Sequence, residues 1–331
     1  MDRAEAEAAY RPAALEALKA FGVEPAGLTF VNLSENITFK VIDARDRSAL
    51  VLRLHRPGYH DAEALKSEPL WTRALAAAGV PVPTSIPAID GEDYVPVDVA
   101  ATGERRFAGL ARWIDGEVLG DSRGGADEVG EVHFERLGAL TATMHNQSSA
   151  WTPPPRFRRH ALDAEGLMGE APFWGPFWDH PVFSADERAQ PLVVRDRLHI
   201  ALLRLGKDPA TYGVIHADLH PGNLLVDGDR LAVIDFDDTA FGWHAYDLAV
   251  ALVYYQDQTG FEAFRDACLR GYRRIRPLSD AVVGLLPMFT LIRGLVQIGW
   301  MHQRPELPTE PWLAERKTSI LERAARLEPP C

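Results

Sequence analysis

Between Gly213 and Asp238 the chain carries its densest set of polar side chains at fixed spacings. His216-Ala217-Asp218-Leu219-His220-Pro221-Gly222-Asn223 comes first, and Ile234-Asp235-Phe236-Asp237-Asp238 follows. Two short apolar runs, Leu224–Val226 and Leu231–Ile234, flank the Asp-Gly pair at Asp227 and Gly228, a strong local signal for a β-hairpin. With residues 227–229 as the loop, Asn223 pairs near Val233. Asp235 then lies two residues further along the partner strand, roughly 7 Å away at ~3.4 Å per residue. An Asn and an Asp project from one end of that hairpin, with Asp218 in the loop leading into it. Hard oxygen donors gathered in this way suit Mg²⁺, which takes a few protein oxygens and keeps room for water and phosphate.

The spacing sharpens this reading. His-x-Asp, an Asn five residues after the Asp, and an Asp-Phe beyond a short hairpin match the kinase pattern H-R-D-L-x-x-x-N followed by D-F-G. In that chemistry the loop Asp takes the proton of the attacking hydroxyl, and the Asn and second Asp hold Mg²⁺ on the phosphates. An ordinary acidic hairpin is the plain alternative, but it requires none of these identities to coincide. The two quoted stretches resemble the aminoglycoside phosphotransferase and choline kinase family, in particular its bacterial homoserine-kinase-type-II-like and stress-response-kinase-like members. The resemblance implies an α+β, protein-kinase-like bilobal fold. Its N-lobe, residues 1–114, would be an antiparallel sheet with helices, and its C-lobe, residues 115–331, mostly helical. It also implies ATP as co-substrate, Mg²⁺ as cofactor, Asp218 as catalytic base and Asn223 with Asp235 as metal ligands. Asp247, in Tyr246-Asp247-Leu248, matches the family's Asp that supports the catalytic loop through hydrogen bonds.

Other elements must position these groups. Residues 4–21 have helical spacing. Residues 28–56 read as an antiparallel meander, with strands at 28–31, 36–42 and 49–55. The turn Leu33-Ser34-Glu35-Asn36 has no glycine, unlike a kinase phosphate loop, but is similar to the family's Ser/Gly-Glu-Asn-x-Thr turn. Backbone N–H groups there, with Ser34 and Asn36, can bind phosphate; a plain hairpin loop is the alternative. Arg53 stands on the third strand where the kinase pattern has Lys, and a guanidinium can hold two phosphate oxygens in a fork. An edge-strand surface Arg, or Lys40 in its place, is the competing reading. Residues 61–79 form a helix capped by Asp61, with a kink expected at Pro69. Its Glu68 matches the Glu that orients the strand cation, ahead of Glu63. The strand at 107–114 resembles the last N-lobe strand and hinge. There Arg112, Trp113 and Ile114 would meet the adenine edge, and Trp113 either walls the pocket or packs in the core.

Gly120–Glu128 reads as a loop and residues 133–147 as a structural helix ending near His145. Residues 151–190 are rich in Pro and aromatic residues, including Trp174 and Trp178. They form either a lid over the substrate cleft or a packed loop. No activation segment and no Ala-Pro-Glu motif follows Asp238, which favours a small-molecule acceptor over a regulated protein kinase. The stress-response-type alternative acts on serine or threonine, and a catalytically silent nucleotide-binding protein is a further alternative. Helical spacing then runs to residue 326. Arg293, a lone cation in an apolar helix, binds a substrate anion or pairs with a carboxylate. His216 reads as a scaffold, His220 is ambiguous, and Asp237 and Asp238 touch metal or substrate. A rival from another class takes His216, Asp218 and either His220 or His244 as a facial triad for iron, but leaves Asn223 and Asp235 unexplained.

Composition sets outer bounds. The 331 residues are 47% hydrophobic and 25% charged, ordinary for a globular chain. The net charge of −12 and the lack of a basic run argue against nucleic acid. Cys268 and Cys331, the two cysteines, allow no disulfide framework. The first residues lack a signal peptide's features, and no apolar run looks long enough to span a membrane. A cytoplasmic protein is expected, with ATP and a small hydroxyl-bearing molecule as its partners.

Overall fold

The pattern of apolar residues changes period along the chain, with alternation at period two concentrated in strands before residue 113 and helical spacing dominant after residue 130. The computed structural model describes residues 2–33, 36–120, 129–305 and 311–327; Ser34 and the expected loop at 121–128 lie outside them. The elements begin with α1 (Arg3–Ala20), β1 (Pro25–Leu33), β2 (Ile37–Asp43), β3 (Ala49–Leu54), α2 (Ala62–Ala77), β4 (Ser85–Ile86), β5 (Tyr94–Val99), β6 (Glu104–Arg112) and β7 (Glu117–Val118). Then come α3 (Glu131–Ala150), β8 (Ala161–Leu162), α4 (Ala164–Met168), α5 (Ala189–Leu205), β9 (Tyr212–Ile215), β10 (Leu224–Asp227), β11 (Arg230–Val233) and β12 (Ala240–Trp243). The chain closes with α6 (His244–Val253), α7 (Phe261–Ile275), α8 (Asp280–Val283), α9 (Leu286–His302) and α10 (Pro311–Arg326). Two units result. One is Met1–Glu117 with Thr152–Arg158 and Asp227–Asp237; the other is Val118–Trp151 with Arg159–Val226 and Asp238–Cys331.

In the first unit the sheet runs in the order β1-β2-β3-β6-β4, with β5 also on β6, and each pairing is antiparallel. Strand alternation buries Ile37, Phe39 and Val41 of β2 and Leu50, Leu52 and Leu54 of β3. Helix α1 supplies Ala6, Tyr10, Ala13, Ala14, Ala17 and Leu18 to the same core. Each large aliphatic side chain buried there contributes about 1.5–3 kcal/mol. The opposite face of β3 presents Arg53, whose strand partners are Thr38 and Gly109. Asp61 caps α2 by accepting the N–H of Ala64 at 2.7 Å, and the helix continues through Pro69 to Ala77.

In the second unit β12 lies between β8 and β9, antiparallel to β9 with Ala240 opposite Ile215 and Gly242 opposite Gly213. Strand β9 ends at Ile215, where the His216–His220 loop begins, and β12 runs straight into α6. The ends of neighbouring strands thus bring the loop and Asp247 together. The expected hairpin strands form as β10, almost wholly in this unit, and β11, which with Gly228 at φ 57° belongs to the first. Asn223 falls in a 3-10 turn, Pro221–Asn223, one residue ahead of the strand it was expected to end.

Two expectations change. Trp174, Phe177 and Phe183 are at most 2% exposed, and His160 stacks on Phe173 at 3.5 Å, so this part of the 151–190 segment is packed and not an open lid. Residues 280–302 have the length and apolarity of a membrane span, contrary to the reading that no such run exists. Two-thirds of that window is buried by the fold itself (67%), as in the core helix of a globular unit.

Helices α3 and α7 meet backbone to backbone. A Cβ on Gly138 would lie 1.9 Å from the carbonyl oxygen of Cys268, and one on Gly271 would lie 1.8 Å from that of Glu135. No side-chain rearrangement relieves a clash with backbone, so the helices would have to separate. Gly138→Ala and Gly271→Ala are each expected to destabilise the fold by about 1–3 kcal/mol or more, read as a lower urea midpoint. A Gly130→Ala control, at a position with open space around it, should shift it far less.

Candidate active site

Asp247 organises the loop. Its Oδ1 accepts the N–H of Ala217 at 2.6 Å and its Oδ2 accepts that of His216 at 3.0 Å. Ala217 has φ 69°, a left-handed conformation costing a non-glycine residue about 1–2 kcal/mol. The two hydrogen bonds hold that strained turn in place. Behind Asp247, His145 Nε2 lies 3.2 Å from Oδ2, and the Tyr272 hydroxyl lies 2.9 Å from His145 Nδ1. The His244 ring stacks on His145 at 4.2 Å. Burial raises the pKa of Asp247 against the pull of His216 and the two N–H donors.

Asp218 follows the strained residue. Its Oδ1 accepts from Arg293 Nη2, and its Oδ2 accepts from Asn223 Nδ2 at 2.9 Å, with His220 Nε2 at 3.4 Å. The Asn223 amide also donates to the Asp218 carbonyl at 2.9 Å. His220 Nδ1 accepts the Gly222 N–H at 3.0 Å, which places the ring proton on Nε2 when the ring is neutral. Burial would raise the Asp218 pKa, but His220 and Arg293 outweigh it and hold the carboxyl well below the usual range. Arg293, from α9, also reaches the Tyr254 hydroxyl at 3.4 Å.

The first unit holds a second cluster. Arg53 Nη2 lies 2.8 Å from Asp235 Oδ1 and 3.3 Å from Asp237 Oδ1, and its Nη1 lies 3.5 Å from Glu68. Burial opposes the charge on Arg53, yet Asp237, Asp235 and Glu68 together raise its pKa above the ordinary value. Asp237 Oδ2 accepts from Asn36, whose Oδ1 takes the Arg56 N–H at 2.9 Å. His55 Nδ1 stands 3.5 Å from Asp237 Oδ1, and His60 Nε2 lies 2.7 Å from the Asp237 carbonyl. Burial would push the Asp237 pKa up, but Arg53 and His55 bring it far below the usual carboxylate range. Asp235 has φ 62° and a side chain 44% exposed.

The remaining expected residues lie as follows. Lys40 does not take the place of Arg53; its ammonium sits 4.3 Å over the Trp113 ring. The N–H groups of Arg112 and Trp113 donate to Thr84 and Ala49 carbonyls, so they are not available to a purine edge; Ile114 follows them. Asp237 is committed to Arg53, His55 and Asn36, which replaces the reading that it touches metal or substrate directly. Asp238 is partly buried, and its charge adds to burial in raising the pKa of the Tyr246 hydroxyl. Trp178 packs under Arg195 at 4.9 Å, and Trp174 lies 5.8 Å from the Arg293 guanidinium. Among the described residues no three His, Cys, Asp or Glu side chains group as a metal site, and His244 is stacked on His145; the iron reading has no triad here. Sequence reasoning missed His55, Tyr254 and Tyr272. Only His55 carried a signal: it lies two residues from Arg53, which puts it on the same face of the strand.

Each unit holds an oxygen donor of the kind that suits a hard cation. Asn223 turns its NH₂ to Asp218, which leaves its amide oxygen as an acceptor, and Asp235 offers an accessible carboxylate.

The model of the phosphotransferase enzyme family matches residues 29–280. The chain belongs to this family. It is similar to a microcompartment-associated aminopropanol kinase, at 34% identity over 94% of this chain and 93% of that one, with a TM-score of 0.77. The amicoumacin kinase of Bacillus subtilis (strain 168) is 25% identical over 304 residues, 89% of this chain and 85% of its own. An amicoumacin kinase solved with AMP-PNP, Ca²⁺ and Ami shares the fold, at 21% identity over 97% and 96% of the two chains and a TM-score of 0.76. The fold is that of the protein-kinase-like phosphotransferases, and the chain is a phosphotransferase acting on small-molecule hydroxyl groups.

The buried histidine behind the loop gives this phosphotransferase a measurable acid sensitivity. Burial, with a smaller push from Arg276, lowers the His145 pKa to about 3, against ~6.5 in an unfolded chain. Between those values the unfolded chain holds a proton that the folded chain does not. The stability from neutral His145 is therefore complete above about pH 6.5 and falls as the pH drops toward 3, by about 1.4 kcal/mol per pH unit. His145→Asn should flatten urea-derived stability over that window by about one proton, while lowering stability at neutral pH.

Proposed function

We propose that this phosphotransferase moves the γ-phosphate of ATP, bound with Mg²⁺, to the hydroxyl of a small amino alcohol. The reading rests on Asp218, a carboxylate held ionised and restrained at both oxygens by Arg293, Asn223 and His220. An aminopropanol kinase similar over nearly the whole chain supports the acceptor class. A chain that draws on ATP fits the cytoplasm.

Asp218 accepts a hydrogen bond from the acceptor O–H and orients its oxygen toward the γ-phosphorus. A carboxylate this acidic is a weak base, so it takes the proton late, once the oxygen–phosphorus bond has begun to form. That timing suits the loose transition state of phosphoryl transfer, where positioning and charge neutralisation dominate. The new bond joins the acceptor oxygen to phosphorus, the bond to the β-phosphate oxygen breaks, and ADP leaves with those electrons. Asn223 Oδ1 and the Asp235 carboxylate would hold Mg²⁺, which supplies neutralisation of phosphate charge. Arg53, oriented by Glu68, would hold phosphate oxygens, exchanging its contact with Asp235 for the nucleotide. Asp237 would hold Asn36 beside Arg53. Adenine would meet the backbone beyond Trp113, at Ile114.

The test is ADP formation from ATP and Mg²⁺ against 1-amino-2-propanol, ethanolamine, choline, homoserine, sugars, aminoglycosides and a generic protein. The expected result is turnover with the amino alcohols and a loss of about 10²–10⁴-fold in Asp218→Ala, with ATP binding retained. Turnover confined to sugars or to protein would overturn the acceptor class. Failure to bind ATP with Mg²⁺ would overturn the whole reading.

A further inference from the structure

Helix α9 has one Lys, Arg, Asp or Glu among its 17 residues, and that residue is Arg293, 6% exposed. A buried cation costs several kcal/mol unless it is paired and hydrogen-bonded, so where this one spends its donors is informative. Nη2 donates to Asp218 Oδ1 and to the Tyr254 hydroxyl at 3.4 Å, and Nη1 reaches the Ala217 carbonyl at 3.5 Å. Ala217 is the strained residue and Asp218 follows it, so the guanidinium braces the turn at its carbonyl and its carboxylate, while Asp247 holds its N–H groups. The Trp174 ring faces it at 5.8 Å. Trp174 is fixed in turn by α9: its carbonyl would lie 2.8 Å from a Cβ on Gly299, a closeness that only glycine permits.

We infer that Arg293 is the positioning residue for Asp218, steadied by Trp174, and is not a receptor for an anionic group on the acceptor. The inference rests on the kinase reading above and deepens it. An acceptor then needs no carboxylate, so 1-amino-2-propanol and ethanolamine should be used at least as well as homoserine. It also gives the packed aromatic segment a part in catalysis: substitutions at Trp174 reach the reacting oxygen through the guanidinium, without touching the acceptor. A carboxylate freed to rotate by even an ångström costs about 10²-fold in rate.

Two measurements test this. The first is a double-mutant cycle in urea unfolding with Asp218→Asn and Arg293→Met, which needs no activity. Removing Arg293 should cost clearly more when residue 218 is charged than when it is Asn, because only then is a buried carboxylate stranded. Strict additivity would mean that the pair does not form in solution and would overturn the inference. The second compares kcat and KM. Arg293→Met should lower kcat by about 10–100-fold and change KM for ATP and for the acceptor by less than about threefold. Arg293→Ala should recover activity in millimolar guanidinium, and Trp174→Leu should lower kcat by a smaller factor. A rise in KM confined to homoserine, with kcat kept, would assign Arg293 to the acceptor's carboxylate and overturn the inference. If the unaltered chain turned over no acceptor, the acceptor reading would fail on its own. The rate would then be read from acceptor-independent ATP hydrolysis, where water takes the hydroxyl's place. The same kcat fall there would support the inference, and an unchanged rate would overturn it.

Discussion

The grip of Asp247 on the N–H groups of His216 and Ala217 is the constraint on which the catalytic loop depends. A residue with a side chain does not stay at φ 69° on its own account. Two hydrogen bonds to a buried carboxylate, each worth more than a neutral one, offset that cost. Because the turn is held there, Asp218 leaves it in a fixed direction, and the polar residues that follow fall within reach of its carboxylate. Helix α6 is buried along its whole length, so Asp247 cannot drift without moving the core.

Charge is managed by the same logic in both units. Each contains a carboxylate whose burial would favour protonation and whose cationic neighbours prevent it: Asp237 with Arg53 and His55, Asp218 with His220 and Arg293. Such pairs contribute little net stability, since desolvation consumes most of the attraction. They keep acids ionised at fixed places, which is what phosphoryl transfer requires of its protein.

Much of this was legible because local spacing encodes it. The antiparallel strands, the helices and the Asp61 cap follow from alternation, capping and helical period, which act over a few residues, whereas the approach of Glu68 to Arg53 was implied by the family resemblance. The family resemblance of residues 216–238 rested on spacing too. Arg293 was legible as an anomaly, a cation in an apolar helix, but its partner lies 75 residues away and no local rule selects it. The burial of Trp174 and the close approach of α3 to α7 also depend on distant segments. The hinge assignment failed in part for the opposite reason: strand pairing consumed the N–H groups of Arg112 and Trp113, and the sequence does not say which neighbour claims them. The apolar run at 280–302 was passed over although the mean hydropathy of the window is high, 1.8, because composition does not say whether packing or lipid covers such a run.

That run has a consequence for how the protein fails. Residues 280–302 reach a hydropathy of 1.8, in the range that lipid accepts, and only packing within their unit hides them. Most of the segments that must cover them precede them in sequence, so during synthesis those segments emerge first. In an unfolded molecule the same stretch is a sticky, lipid-philic segment. The single buried arginine that serves the active site is also the one charge within the helical part of that stretch, Leu286–His302, that weakens that tendency. Replacing it with an apolar residue would therefore do two separate kinds of damage: slower chemistry in the molecules that fold, and a stronger pull toward aggregates and membranes in those that do not.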